Sequence, residues 1–148
     1  MHVKPGRWLL DACLPRRGYA GMDAVHARDF PELADGAALG EATRLNRNLV
    51  TCRQAFQEPW TIASDQAGVV IFEEAPVSAT EIERNLGHLE FRIGQYEGSL
   101  QLAGNRFVIR ADREVSVLGS AGQEIPLEPW LEVHMKQGRS SGAAALAV

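Results

Sequence analysis

Four short apolar runs, at residues 7–11, 23–27, 48–52 and 68–72, are separated in places by segments whose apolar residues recur at helical spacing. That alternation constrains the fold more than any other feature. Trp8, Leu9 and Leu10 put bulk on both faces of the first run, as a strand of a parallel sheet requires. The run Gly68-Val69-Val70-Ile71-Phe72 is the clearest strand, because β-branched residues suit a pleated, buried surface. Between the second and third runs, Leu39, Ala42 and Leu45 predict a helix over 37–47, with Asp35 as its N-cap. After the fourth run, Ser78-Ala79-Thr80-Glu81 is a capping-box pattern. It opens a helix whose stripe is Ile82, Leu86, Leu89, Ile93 and Tyr96, expected to cover the sheet. Strand–helix alternation over 7–97 implies an α/β fold with a mostly parallel sheet. Such folds place ligands at the carboxyl ends of their strands. Asp11, His26, Cys52 and Arg53 occupy those ends.

After Gly98 the pattern changes. Residues 99–103, 106–111 and 114–118 read as short antiparallel strands joined by tight turns at Gly104-Asn105 and Asp112-Arg113. The expected organisation is an α/β core over 1–97, a β extension over 98–136 packed on the same domain, and a disordered Gly, Ser and Ala tail over 137–148. The 148 residues carry a net charge of −4, too mild for a strongly basic nucleic-acid coat or a polyanionic tail. The charge is uneven. Residues 1–57 hold 8 basic and 6 acidic side chains, and residues 58–148 hold 7 and 13. No apolar run approaches the ~20 residues that span a bilayer, and the N-terminus lacks a signal-peptide core, so a cytoplasmic protein with no membrane partner is expected.

The residues at the strand ends resemble a known family. Leu9-Leu10-Asp11-Ala12-Cys13-Leu14-Pro15 looks like the opening L-L-D-x-x-L-P of the short PIN-like nucleases, often met as predicted bacterial toxins. Val25-His26-Ala27-Arg28-Asp29 is similar to that family's V-H-x-R-D. Asp35 with Leu39 and Ala42 is similar to its D-x-x-I/L-x-x-A segment, and 49–56 to its L-V-T-x-D-x-D-F block. The resemblance implies a three-layer α/β/α fold with a mostly parallel central sheet, here with a C-terminal antiparallel extension. It also implies RNA cleavage with Mg²⁺ or Mn²⁺ held by clustered carboxylates. Hard divalent cations want oxygen ligands, and the bound metal activates water and neutralises charge on the phosphate. Asp11 would be the main ligand and catalytic group, Asp35 a second, with Asp29 or Glu41 in support. Arg16, Arg17 and Arg53 would hold the RNA phosphates.

This chain departs from the pattern twice. The two aspartates of L-V-T-x-D-x-D-F are replaced by Arg53 and Ala55. A fixed positive charge at the first position opposes a cation and can pair with Asp11 across adjacent strand ends. The second departure is the first helix, for which only Arg16 to Met22 are available, with Gly18 and Gly21 among them. It should shrink to one turn, leaving that edge open or filled by a second copy in a homodimer.

Several residues carry two readings. Asp11 is a metal ligand or the structural partner of Arg53. Asp35 binds metal or caps a helix, and Asp29 does so or closes an Asx turn. His26 is an acid–base group or a satisfied structural histidine. Cys13 and Cys52 are a reactive pair, by disulfide, redox switch or soft metal, or simply two small buried thiols. The loop Phe56 to Trp60 stacks a base, or Trp60 fills the core under a long loop. Two functions follow. The preferred one is a catalytically silent PIN-like protein acting as a binding module or as half of a toxin–antitoxin-type pair with a protein partner. The alternative is an active metal-dependent ribonuclease with a reduced carboxylate set.

Overall fold

Among its described residues, seven strands form one sheet in the order β2-β1-β3-β4-β5-β6-β7 in the computed structural model of the chain. The structure describes residues 6–30, 37–58, 62–63, 65–76 and 78–127. The strands are β1 (Arg7–Leu10), β2 (Asp23–His26), β3 (Asn48–Thr51), β4 (Val69–Phe72), β5 (Arg106–Ile109), β6 (Val115–Leu118) and β7 (Glu124–Pro126). The α-helices among the described residues are α1 (Ala38–Arg44) and α2 (Ala79–Gly94). From β2 to β5 the pairing is parallel, with Leu10 opposite both His26 and Val50. β6 and β7 continue the sheet antiparallel. The fold is therefore mixed α/β with a mostly parallel sheet and an antiparallel C-terminal end. Among the described residues no helix is long and apolar enough to cross a membrane.

Burial follows sheet position. β4 and β5 are buried along their whole length, and β7 at the edge is exposed along its own. Side chains alternate between two apolar clusters, as period-2 geometry demands. Trp8, Leu10, Val50, Val70, Phe72, Phe107 and Ile109 face one, joined by Ile82, Leu86, Leu89 and Ile93 of α2. Leu9, Leu49, Val69, Ile71 and Val108 face the other, joined by Ala38 and Ala42 of α1. Full burial of each large aliphatic side chain contributes about 1.5–3 kcal/mol.

The helix ends have local causes. Ser78 caps α2, its hydroxyl accepting the Glu81 N–H at 3.2 Å. α1 is shorter than the apolar spacing predicts. Asn46 adopts φ 55°, and the N–H groups of Asn46 and Arg47 turn back to the carbonyls of Thr43 and Ala42. That is a Schellman ending, which stops the helix at Arg44. The N-cap position belongs to Ala37, not Asp35, and makes no side-chain cap bond.

Three expectations need correction. Residues 99–103 are turn and bend, not strand. Leu102 instead passes so close to Gly68 that a Cβ there would lie 2.2 Å from its carbonyl oxygen. β5 pairs antiparallel with β6 as expected, but it also pairs parallel with β4 and so belongs to the parallel part of the sheet as well as to the extension. The segment between β1 and β2 keeps no helical turn, only a hydrogen-bonded turn from Asp11 to Leu14. Leu14 is buried, and Tyr19 and Met22 pack on the same cluster as α2. The loop's own side chains thus cover the face that a helix would cover. The helix-free segment matches the shortage of residues there. The expected tail over 137–148 lies outside the described residues, as do Asp35 and Trp60.

Candidate functional site

Parallel pairing brings the carboxyl ends of β1, β2, β3, β4 and β5 to one rim of the sheet. Asp11 follows β1 directly and is 2% exposed. A buried carboxylate is costly unless its oxygens are satisfied. Here Oδ1 accepts the Ala12 N–H at 2.8 Å, and Oδ2 accepts the Thr51 hydroxyl at 2.7 Å. The Arg53 Nε lies 3.0 Å from the same Oδ2, its side chain 39% exposed. Thr51, itself buried at the end of β3, also accepts the Arg53 backbone N–H at 3.1 Å. One hydroxyl therefore fixes both the acid and the start of the loop that carries the base.

The rest of the rim repeats this pairing. Asp29 lies in a single 3-10 turn over Ala27–Asp29 and is bound by Arg16, with Nη2 at 2.6 Å and Nε at 3.1 Å. The Arg16 guanidinium holds the Asp29 carboxyl below its ordinary range. The expected phosphate clamp and the expected ligand are thus each other's partners. Glu41 pairs with Arg44 inside α1. Arg17 is exposed. Glu73 follows β4 and Arg110 follows β5, and they pair at 2.8 Å. Arg110 also engages Glu124 and Gln57. The Ala111 N–H and, after it, Arg110 hold the Glu73 carboxyl low. Glu73 escaped the sequence reading, although its place just after the clearest strand is a carboxyl-end position like that of Asp11.

His26 is a satisfied structural residue. Its Nδ1 accepts the Arg28 N–H at 3.1 Å, so the ring proton sits on Nε2, which donates to the Leu14 carbonyl at 2.9 Å. Phe56 is half-buried against the α1-side core rather than presented at the rim.

The loop after β3 is held from below by Arg106, which is 1% exposed. Its Nη1 donates to the carbonyls of Phe56 and Glu58, both at 2.8 Å, and Nη2 to that of Gly119 at 3.0 Å. Burial pushes this guanidinium below its ordinary value. No local pattern marks an arginine for such a role, because all three acceptors are distant in sequence.

The two cysteines meet at this rim and are not the small buried thiols expected. Cys13 is exposed and Cys52 half-buried, and both are free. The Cys52 N–H donates to the Cys13 sulfur at 3.3 Å.

A divalent metal at Asp11 does not suit these donors. The oxygen it would share already faces a guanidinium and a hydroxyl proton. Among the described residues no group of three or more His, Cys, Asp or Glu is arranged to hold a metal ion. No family model, curated protein or solved structure matches the chain.

Proposed function

We propose that the chain is a PIN-like protein whose metal-dependent ribonuclease chemistry has been lost and which acts by binding, as a binding module or as one component of a toxin–antitoxin-type pair. The Arg53–Asp11 ion pair carries this reading. In a working cluster several carboxylates converge on a cation. Here the acid with the best claim has an arginine in the cation's place. Asp29 and Glu73 are likewise neutralised, each by its own arginine. The resemblance at 9–15, 25–29 and 49–56 supports the family reading, as does a core cluster with one helix on each of the two faces of the sheet, α2 on one and α1 on the other. A three-layer α/β/α arrangement is part of the same proposal.

The test is thermal unfolding of the full chain during Mn²⁺ titration, with RNA cleavage assayed in parallel. Any ion that binds only the folded state raises the midpoint. The expected result is no shift and no cleavage at millimolar metal. The double change Arg53→Asp, Ala55→Asp is expected to create a metal-dependent rise. Cleavage by the unchanged protein, with a midpoint shift that Asp11→Asn removes, would establish the opposite reading, an active ribonuclease built on Asp11 and Asp35.

A further inference from the structure

The β1 and β3 ends hold a second pair of chemically active side chains beside Asp11 and Arg53. Cys13 follows β1 by three residues, and Cys52 follows β3 directly. Their contacts are reciprocal. The Cys13 sulfur accepts the Cys52 backbone N–H at 3.3 Å, and the Cys52 thiol lies 3.8 Å from the Cys13 carbonyl oxygen as its donor. Each sulfur therefore lies against the other residue's backbone, so both occupy the gap between the two strand ends. Cys13 is exposed to solvent, and Cys52 is half-buried behind it.

We propose that Cys13 and Cys52 form a dithiol site that takes a small soluble disulfide as its substrate and closes to a reversible Cys13–Cys52 disulfide across the β1 and β3 ends. The inference rests on these contacts and not on the PIN-like reading. A soft metal ion is a poorer occupant, because no group of three or more His, Cys, Asp or Glu among the described residues is arranged to hold one.

The order of events follows from the two environments. Thiol–disulfide exchange needs a thiolate with access to its target. Burial pushes the Cys52 thiol up to about 12, and its contact with Cys13 adds to the shift. Cys52 therefore stays protonated while exposed Cys13 attacks. With oxidised glutathione, Cys13 gives its proton to solvent, and its thiolate bonds to one glutathione sulfur and expels the other as a thiolate. Capping Cys13 removes its upward push on Cys52. Cys52 then gives its proton to solvent, attacks the Cys13 sulfur and expels the second glutathione thiolate, and both glutathiones are protonated from solvent. Two protein thiols are oxidised to one disulfide, and one oxidised glutathione is reduced to two thiols.

The test incubates the full chain with graded mixtures of reduced and oxidised glutathione and reads it by mass spectrometry. The expected product has lost two hydrogens, yields one peptide joining residues 13 and 52, and reverts with excess reduced glutathione. Cys52→Ser should stop at a stable glutathione adduct on Cys13. Cys13→Ser should form its adduct at least about tenfold more slowly, since its remaining thiol is protonated and shielded. Both thiols still open to alkylation in the most oxidising mixture would overturn the proposal. So would a stable glutathione adduct on the unchanged protein, or equal adduct rates for the two variants.

Discussion

Arg53 and Asp11 sit 40 or so residues apart in sequence and 3.0 Å apart in space, the acid buried and the base half in water. The pair exists because β1 and β3 are parallel neighbours, so residues just past their ends converge. Arg53→Ala leaves the buried carboxylate with only the Thr51 and Ala12 donors. A loss of about 1–2 kcal/mol in urea unfolding is expected, below the full cost of breaking a buried pair because Arg53 is partly solvated. A double-mutant cycle with Asp11→Ala should return a coupling of about 1 kcal/mol, and none if the pair is incidental.

Arg106 has a larger effect. Its replacement by Met removes the donors to the Phe56, Glu58 and Gly119 carbonyls. A loss of about 3 kcal/mol is expected, with faster hydrogen exchange confined first to the loop after β3. Arg106→Lys should recover little, because one ammonium cannot reproduce the planar fork.

Glycine positions divide by what surrounds them. Gly68→Ala drives a methyl group against the Leu102 carbonyl and should cost more than about 2 kcal/mol. Gly40→Ala in α1 and Gly87→Ala in α2 meet nothing within 4 Å and should each stabilise by about 0.5–1 kcal/mol. Arg113 ends the β5–β6 turn at φ 72°, so Arg113→Gly should relieve strain and stabilise by about 0.5–1 kcal/mol. Urea midpoints of the four variants check the division.

Stability should fall at both ends of the pH scale. Asp23, Asp29, Glu41, Glu73 and Glu124 are all held below their ordinary values, each with an arginine partner. Their folded forms bind protons more weakly than the unfolded chain. The stability they contribute is complete above the unfolded carboxylate range near pH 4, and it is lost as pH falls through the folded values. Cys52 shifts the other way, to about 12. Its contribution is present below the unfolded thiol value near 9 and lost as pH rises toward the folded one. Cys52→Ala should therefore lose less stability than the unchanged chain between about pH 9 and 11. Reduced protein, melted across that range, gives the measurement.

Much of this was legible in the sequence where short-range pattern decides. The four strands β1 to β4 show as apolar runs, and α2 shows as a stripe with a Ser78 cap. The Asp11–Arg53 pairing was legible because two strand ends of a parallel sheet must converge. The shortening of the first helix was legible from the shortage of residues before Asp23, but the loss of its last turn was not. The C-terminal part was not. Residues 99–103 alternate like a strand, yet they form the turn that presses Leu102 on Gly68. β7 is a short exposed edge, Glu124–Pro126, with no burial to impose a pattern. Glu73–Arg110 and Arg106 depend on partners brought together by the sheet, so no local spacing announces them.

The strand order carries one more consequence. Among the described residues, every neighbouring pair in the sheet joins strands consecutive in the chain, except β1 with β3. The sheet is thus two contiguous ladders, β1–β2 and β3 to β7, with a single strand seam between them. Asp11 and Cys13 belong to one ladder, Thr51, Cys52 and Arg53 to the other. The ion pair and the thiol contact are both assembled when that seam zips shut during folding, and both come apart together if it opens.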